Sequence, residues 1–268
     1  MTSEWYKFRG FSHDQVRAAR AIYLGHFPQG GRILDIGAGR GEFLTAARDS
    51  GFQAEGLDSD HKVVAEANKS GLRVVQADAH DFLLTHTREF DGIFCAHVIE
   101  HFAPDDAKRL INSAAGALNV RGVLCVVTPN PGSLPTVTHE FWRDPSHVRL
   151  YDLEALEFLC HSAGLEVIES DKNPHAEMGL PVDPQDLSFD KSVPRLETPD
   201  PEQPRVAGMI ATQFQRSRMA RELNAVIHQQ RMHIERLETH VELLSNSLHR
   251  LLNVLYERSE IYVVARRP

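Results

Sequence analysis

An α/β fold with a parallel sheet at its centre is predicted by three features of this 268-residue chain. Short apolar runs alternate with longer amphipathic segments from Gly31 to about Glu169, the pattern of strands joined by crossover helices. The first run turns through spaced glycines directly into a helix. A β-branched run, EIYVVARRP, closes the chain after a long helical stretch and reads as a strand returning to the sheet.

The strands in order are RILDIG, FQAEGLD, RVVQADA, FDGIFCAHV, VLCVVTP and LEVIES. Between them, EFLTAARDSG is a helix that stops on Gly51. DDAKRLINSAAGAL is another, opening after Pro104 with acids in its first turn, where the helix dipole favours them. These elements make residues 1–173 the core, with ligands expected at the carboxyl ends of the strands. Seven of the fourteen prolines fall between Pro174 and Pro204, too dense for helix or sheet, so 174–204 is a linker or lid. Residues 205–257 hold no proline and one glycine, Gly208, and predict a single long helix. From Leu223 its apolar positions step by four and three through Ile227, Ile234, Leu237, Val241 and Leu244 to Leu255, with Gln230 as the polar member. That heptad seam predicts a coiled coil and self-association. Ile and Val alternating with Leu favour a dimer, and Leu248 and Leu255 admit a trimer. Residues 258–268 are the last strand of the core, so the linker and helix are an insertion before it.

Composition narrows the function. A chain 42% hydrophobic and 25% charged is ordinary for a folded domain, which excludes disorder throughout. A net charge of −8 argues against the clustered Lys and Arg that nucleic acid or an anionic membrane surface would need. No run approaches the roughly 18 apolar residues of a membrane span. The N-terminus MTSEWYKFRG lacks a basic-then-apolar signal, so a cytoplasmic location is expected. Cys95, Cys125 and Cys160 sit singly in apolar runs without CxxC spacing and are read as reduced core residues.

The segment Asp35-Ile36-Gly37-Ala38-Gly39-Arg40-Gly41-Glu42 carries the first chemical signal. Glycines let a backbone approach a ligand closely. The dinucleotide fingerprint G-x-G-x-x-G would need glycine at position 42, where Glu42 would repel a pyrophosphate. The spacing G-x-G-x-G behind Asp35 instead suits a ligand without phosphate that carries a sulfonium, favouring S-adenosylmethionine over NAD. Asp58, followed by Ser59, ends the second strand, where a carboxylate can accept ribose hydroxyls; Asp78 and Ala79 follow the third and suit the adenine. The fourth strand contributes Ala96 and His97 to the same edge.

Methyl transfer from a sulfonium needs an acceptor oxygen held near the methyl and relieved of its proton. His97-Val98-Ile99-Glu100-His101 lies at the fourth strand's end; two histidines four apart share one face if the segment is helical, with Glu100 beside them. The spacing serves either a general base supported by a carboxylate, with His101, Glu100 and His147 catalytic, or a divalent cation held by His97, Glu100, His101 and His147. After the fifth strand, HEFWRDPSHVR packs aromatic, charged and imidazole groups into eleven residues. Trp142 can stack on a sugar ring, Arg143 and Arg149 can anchor a phosphate or a sugar, and Arg9 near the N-terminus can fold over cofactor or acceptor.

With DIGAGRGEFL, Asp58 and Asp78 in place, the chain resembles the class I S-adenosylmethionine-dependent methyltransferases, which implies a Rossmann-like sheet and that cofactor. FRG at Phe8 to Gly10, AHVIEHF, TPNP, EFWRDPSHVR and LNVLYERSEIYVVARRP resemble, more narrowly, the methyltransferase domain of bacterial polysaccharide chain-terminating enzymes; the sequence lacks the kinase domain some of them carry. The resemblance implies O-methylation of a saccharide end, at a hydroxyl or a phosphate. Other class I members bind a divalent cation such as Mg²⁺ or Mn²⁺ at an E-x-x-E-H segment, where this chain has His97 in place of the first glutamate. A nitrogen-rich set favours Mn²⁺ or Zn²⁺ over Mg²⁺. Methylation of a small metabolite such as a quinone precursor, or of an RNA 3′-terminal ribose, is the enzymatic alternative, and a cofactor-binding scaffold the non-enzymatic one.

Overall fold

The computed structural model describes residues 8, 10, 12–176 and 218–268. In chain order the elements are α1 (His13–Ala21), β1 (Arg32–Ile36), α2 (Glu42–Asp49), β2 (Gln53–Asp58), α3 (His61–Lys69), β3 (Val74–Gln76), α4 (Ala79–Thr85) and β4 (Phe90–Ala96). They continue with α5 (Pro104–Ala117), β5 (Leu118–Pro129), α6 (Leu153–Ser162), β6 (Glu166–Lys172), α7 (Arg218–Leu255) and β7 (Glu260–Arg266). Among the described residues the strands form one seven-stranded sheet in the order β3-β2-β1-β4-β5-β7-β6, with helices packed on both faces.

The expected parallel sheet is corrected at one strand. β7 runs antiparallel to both β5 and β6, with Glu260 opposite Pro129 and Ile261 opposite Lys172. Topology requires this. β6 ends at the carboxyl edge and β7 begins at that same edge, so the chain re-enters from where it left and must run downward. The inserted segment therefore makes the sheet mixed. β7 lies between β5 and β6, and Ile261 to Ala265 are all buried in the core.

Each local boundary has a physical cause. Gly41, in the left-handed region at φ 83°, caps α2, and a Cβ there would collide with Leu72. Asp60, Asp78 and Asp152 accept backbone N–H bonds as N-caps of α3, α4 and α6. Pro104 opens α5, where its missing N–H costs nothing. The three cysteines are free and buried, and burial pushes the Cys160 thiol up to about 12.

The chain divides into two compact units, residues 1–179 with 255–268, and residues 180–254. The described part of the second unit is the helix α7, which ends at Leu255, two residues short of the expected end at 257. Seam residues Leu223, Ile227, Ile234, Leu237, Leu244 and Leu251 are exposed along it. Most of the Pro-rich stretch, and residues 205–217, lie outside the described residues. Among the described residues no helix is long and apolar enough to cross a membrane.

Candidate active site

A cleft of about 330 Å³ opens at the carboxyl edge of β1 to β4. Gly37, Asp58, Ser59, Asp78, Ala79, Ala96, His97 and His101 line it, together with Val98, Phe102 and Ser146, which sequence reasoning did not assign. Gly37 is in the left-handed region at φ 71°, and a Cβ there would strike the Val98 side chain, so the turn has no room for any other residue.

The two acids on the first half of the edge are tied to backbone. Asp58 accepts from Gly39 N–H at 3.0 Å through Oδ2 and from Asp60 N–H at 2.9 Å through Oδ1. A carboxylate has about four lone-pair sites, so two remain to take ribose hydroxyls. Asp78 receives His80 N–H at 2.9 Å and Asp81 N–H at 3.1 Å on Oδ1 alone. Oδ2 takes no part in this cap. Asp35 is placed differently: it is buried under the turn, outside the cleft lining. Burial, with Glu42 and Asp58 adding to it against Arg20, raises its carboxyl well above the usual range. Gly39 and Gly41 also act through the turn and its packing rather than from the cleft wall. Glu42 is buried but neutralised by Arg40 at 2.6 Å.

The end of β4 is held by ionic contacts. His97 adopts φ 55°. Its Nε2 sits 2.6 Å from Glu260 Oε1 and its Nδ1 3.2 Å from Glu100 Oε1. Burial and Arg20 push its pKa down, but the charges of and hydrogen bonds to Glu260 and Glu100 outweigh them and hold it at about 9. Both His97 ring nitrogens face carboxylates, and its ligand atoms do not join those of Glu100, His101 and His147, which lie within 4.8 Å of one another. The shared helix face expected for His97 and His101 does not form either, because Ile99–His101 is a 3₁₀ turn. Glu260, at the head of β7, also takes Arg20 at 3.2 Å and Asn173 at 2.9 Å. Burial opposes its ionisation, yet Arg20 and His97 hold its carboxyl far below the ordinary range. Glu100 is fully buried and accepts from Thr128 Oγ1 at 3.1 Å; His97 keeps its pKa lowered against the desolvation.

His101 and His147 come together, with ring centroids 4.8 Å apart. His147 Nδ1 donates to the Phe141 carbonyl at 2.6 Å. His101 Nδ1 faces the Ser146 carbonyl and hydroxyl oxygens, both at 3.1 Å, while the Ser146 hydroxyl donates to Asp144 at 2.5 Å. Both rings therefore present a protonated Nδ1 to a backbone carbonyl, and each Nε2 is left without a hydrogen-bond partner. Burial lowers the pKa of His101, opposed by Glu100, which keeps that ring neutral near pH 7. The backbone N–H groups of Val148 and Arg149 both bond to the Glu100 carbonyl, fastening the loop to the β4 end.

The aromatic and cationic residues of that loop are not brought to the cleft wall. Phe141 fills the core, and Trp142 is 68% exposed, its Nε1 donating to the Val137 carbonyl at 2.7 Å. Arg143 pairs with Glu140 at 3.0 Å, and Arg149 lies over the Tyr151 ring at 4.8 Å. Arg9 lies outside the described residues. Glu260, Asp144 and Ser146 were the residues missed. The acid opening EIYVV was visible as a strand start, but nothing in its spacing pointed to His97.

Comparison with known proteins fits this arrangement. A family model described as a methyltransferase domain matches residues 8–170, more than half of the chain. The ubiquinone biosynthesis O-methyltransferase of Aromatoleum aromaticum is 28% identical over 52% of this chain, which spans 66% of that protein, just under two thirds of its length. The enzyme of the same name from Actinobacillus pleuropneumoniae is 25% identical, covering 59% of this chain and 85% of that protein. Among solved structures, a SAM-dependent methyltransferase from Archaeoglobus fulgidus superposes with a TM-score of 0.68 at 21% identity, covering 97% of this chain and 96% of that one. That likeness establishes the fold. With the family model matching through the glycine turn, the cleft and the histidine pair, the chain belongs to the methyltransferase-domain family.

Proposed function

We propose that the chain transfers a methyl group from S-adenosylmethionine to a hydroxyl oxygen of a small metabolite. The observation that carries this reading is the cleft itself, which Gly37, Asp58, Asp78 and His101 line together. The cofactor fits the residues present. The glycine turn leaves backbone exposed, Asp58 keeps lone pairs for two ribose hydroxyls, and Asp78 Oδ2 is outside the helix cap. When bound, the cofactor supplies an electrophilic methyl on a sulfonium. The chain's own part is to hold the acceptor oxygen in line and to move its proton, and the neutral His101 on the cleft wall is placed for that. A quinone-precursor hydroxyl as acceptor is favoured by the relatives named ubiquinone biosynthesis O-methyltransferase. The test is S-adenosylhomocysteine release with hydroxylated aromatics beside a panel of oligosaccharides. Release with the aromatics supports the reading, and release with neither class overturns it.

A saccharide acceptor is the second reading, favoured by the exposed Trp142 face with Arg143 next to it. Release with oligosaccharides alone would select it. Self-association through α7 is part of the same proposal, supported by the exposed seam from Leu223 to Leu251. Replacing Ile234 and Val241 with Asp would then give monomers in sedimentation that still bind the cofactor, and a wild-type monomer at micromolar concentration would contradict it.

A further inference from the structure

We infer that Asp144 and Ser146 are positioning residues for His101: the Asp144 carboxylate makes the Ser146 hydroxyl a fixed hydrogen-bond acceptor, and Ser146 then sets which ring nitrogen of His101 carries the proton. The use of this device in turnover rests on the methyl-transfer reading, whereas the device itself does not. The local sequence builds it. Asp144 precedes Pro145 and so takes extended backbone, at φ −96° and ψ 113°. Pro145 has no N–H, which leaves that of Ser146 as the next backbone donor along the chain, and it bonds to Asp144 Oδ1 at 2.9 Å.

That one bond would suffice for the turn. Asp144 Oδ1 takes a second, from the Ser146 hydroxyl at 2.5 Å, so the only proton of that hydroxyl is engaged and its oxygen can only accept. His101 Nδ1 lies 3.1 Å from this oxygen and 3.1 Å from the Ser146 carbonyl oxygen. Neither can donate to it, so Nδ1 carries the ring proton and the lone pair belongs to Nε2, which has no hydrogen-bond partner. Asp144 is costly where it stands. It is buried, its Oδ2 has no hydrogen-bond partner, and the adjacent Arg143 pairs with Glu140 instead. A buried carboxylate with an unmet oxygen destabilises a fold, and a catalytic role is one of the few reasons a fold retains one.

The chemistry gives the arrangement its value. His101 and Ser146 both line the cleft, and Asp144 does not. The proton leaving the acceptor oxygen goes to His101 Nε2, whose lone pair forms the new N–H bond while the oxygen keeps the pair of the broken O–H bond. The ring then carries a positive charge. Its Nδ1–H already faces Ser146, and the Asp144 carboxylate supplies the opposing charge one hydroxyl away. In the other tautomer the lone pair would face Ser146, and Nε2 would have none to offer the acceptor. A base oriented by a further group is the general logic of sites that activate a nucleophile.

The test reads the ring directly and needs no turnover. The full chain carrying ¹⁵N-histidine, kept in chelator at neutral pH, is recorded by nuclear magnetic resonance, in which the ring-nitrogen shifts distinguish Nδ1–H from Nε2–H. The His101 signals are those absent from His101→Gln. The expected wild-type result is a single neutral Nδ1–H tautomer, replaced by a mixture in Ser146→Ala and in Asp144→Ala and restored in Ser146→Thr, which keeps the hydroxyl. Asp144 does not line the cleft, so unchanged S-adenosylhomocysteine affinity in Asp144→Ala will show that this variant folds. A wild-type ring protonated on Nε2, or a tautomer unaltered in both Ser146→Ala and folded Asp144→Ala, overturns the inference. With an acceptor that supports S-adenosylhomocysteine release, both alanine variants should lose kcat by at least about 10-fold at little-changed KM, because the wrong tautomer has no lone pair for the acceptor's proton. Wild-type kcat in a variant of mixed tautomer overturns it as well. Failure of the wild type to release S-adenosylhomocysteine with any acceptor counts against methyl transfer instead, and the ring measurement still decides the positioning.

Discussion

The two halves of the cleft are built on different principles. At the ends of β1 to β3 the acids are satisfied by local backbone N–H groups: Asp58 by Gly39 and Asp60, Asp78 by His80 and Asp81. At the ends of β4 and β5 the polar side chains are satisfied by residues distant in sequence: His97 by Glu260, His101 by Ser146, Glu100 by Thr128. The first half is a cradle whose geometry follows from short-range turns. The second is a buried polar cluster assembled only when β7 and the loop around His147 are in place, and it retains unpartnered atoms. The contrast separates binding from chemistry: damage to the second half should spare cofactor affinity and remove turnover.

The largest expected effect is on rate. His101→Ala should lower turnover by about 10² to 10⁴, the usual cost of removing a group that handles the acceptor proton, with S-adenosylhomocysteine affinity little changed. A parallel loss of both in calorimetry and turnover assays would break the division. Next comes stability. Glu260→Gln leaves His97 and Arg20 buried without their shared carboxylate, so denaturant unfolding should show a loss of about 3–5 kcal/mol. The pKa of Glu260 is depressed in the fold, so its contribution is present above the unfolded value near 4.5 and fades as pH falls below that. The variant's stability should therefore decline less steeply into acid than the wild type's. Smallest is Asp78→Asn, which keeps a capping oxygen but removes the charge. It should cost only a few tenths of a kcal/mol of stability, while weakening cofactor binding more than folding. Equal losses would mean that Asp78 serves the helix alone.

The cradle was legible in the sequence because its determinants are local. G-x-G-x-G after Asp35, and acids following two successive strands, fix positions by spacing along the chain, and the sheet then aligns them. Asp35 shows the limit of that logic, since spacing cannot tell a residue on the cleft wall from one buried beneath it. The chemistry half was legible only as composition. His101 and His147 were expected near each other, but their partners come from Ser146, Phe141 and Asp144 in a loop whose fold depends on the Glu100 carbonyl. Glu260 lies 163 residues from His97 and meets it only because the inserted segment returns the chain at the carboxyl edge. The reversed strand has the same origin. Trp142, the residue most conspicuous in sequence, proves to be exposed, while its neighbour Phe141 packs.

The central claim is that this cleft holds S-adenosylmethionine rather than a phosphate-bearing dinucleotide. Calorimetric titration of the full chain with S-adenosylhomocysteine and, separately, with NAD tests it most directly. One site per chain for S-adenosylhomocysteine is predicted, weakened by about 1 to 3 kcal/mol in Asp58→Ala as the ribose hydroxyls lose their acceptor, with no measurable heat from NAD. Absence of S-adenosylhomocysteine binding to the folded wild type, an affinity indifferent to Asp58→Ala, or tighter binding of NAD would contradict it.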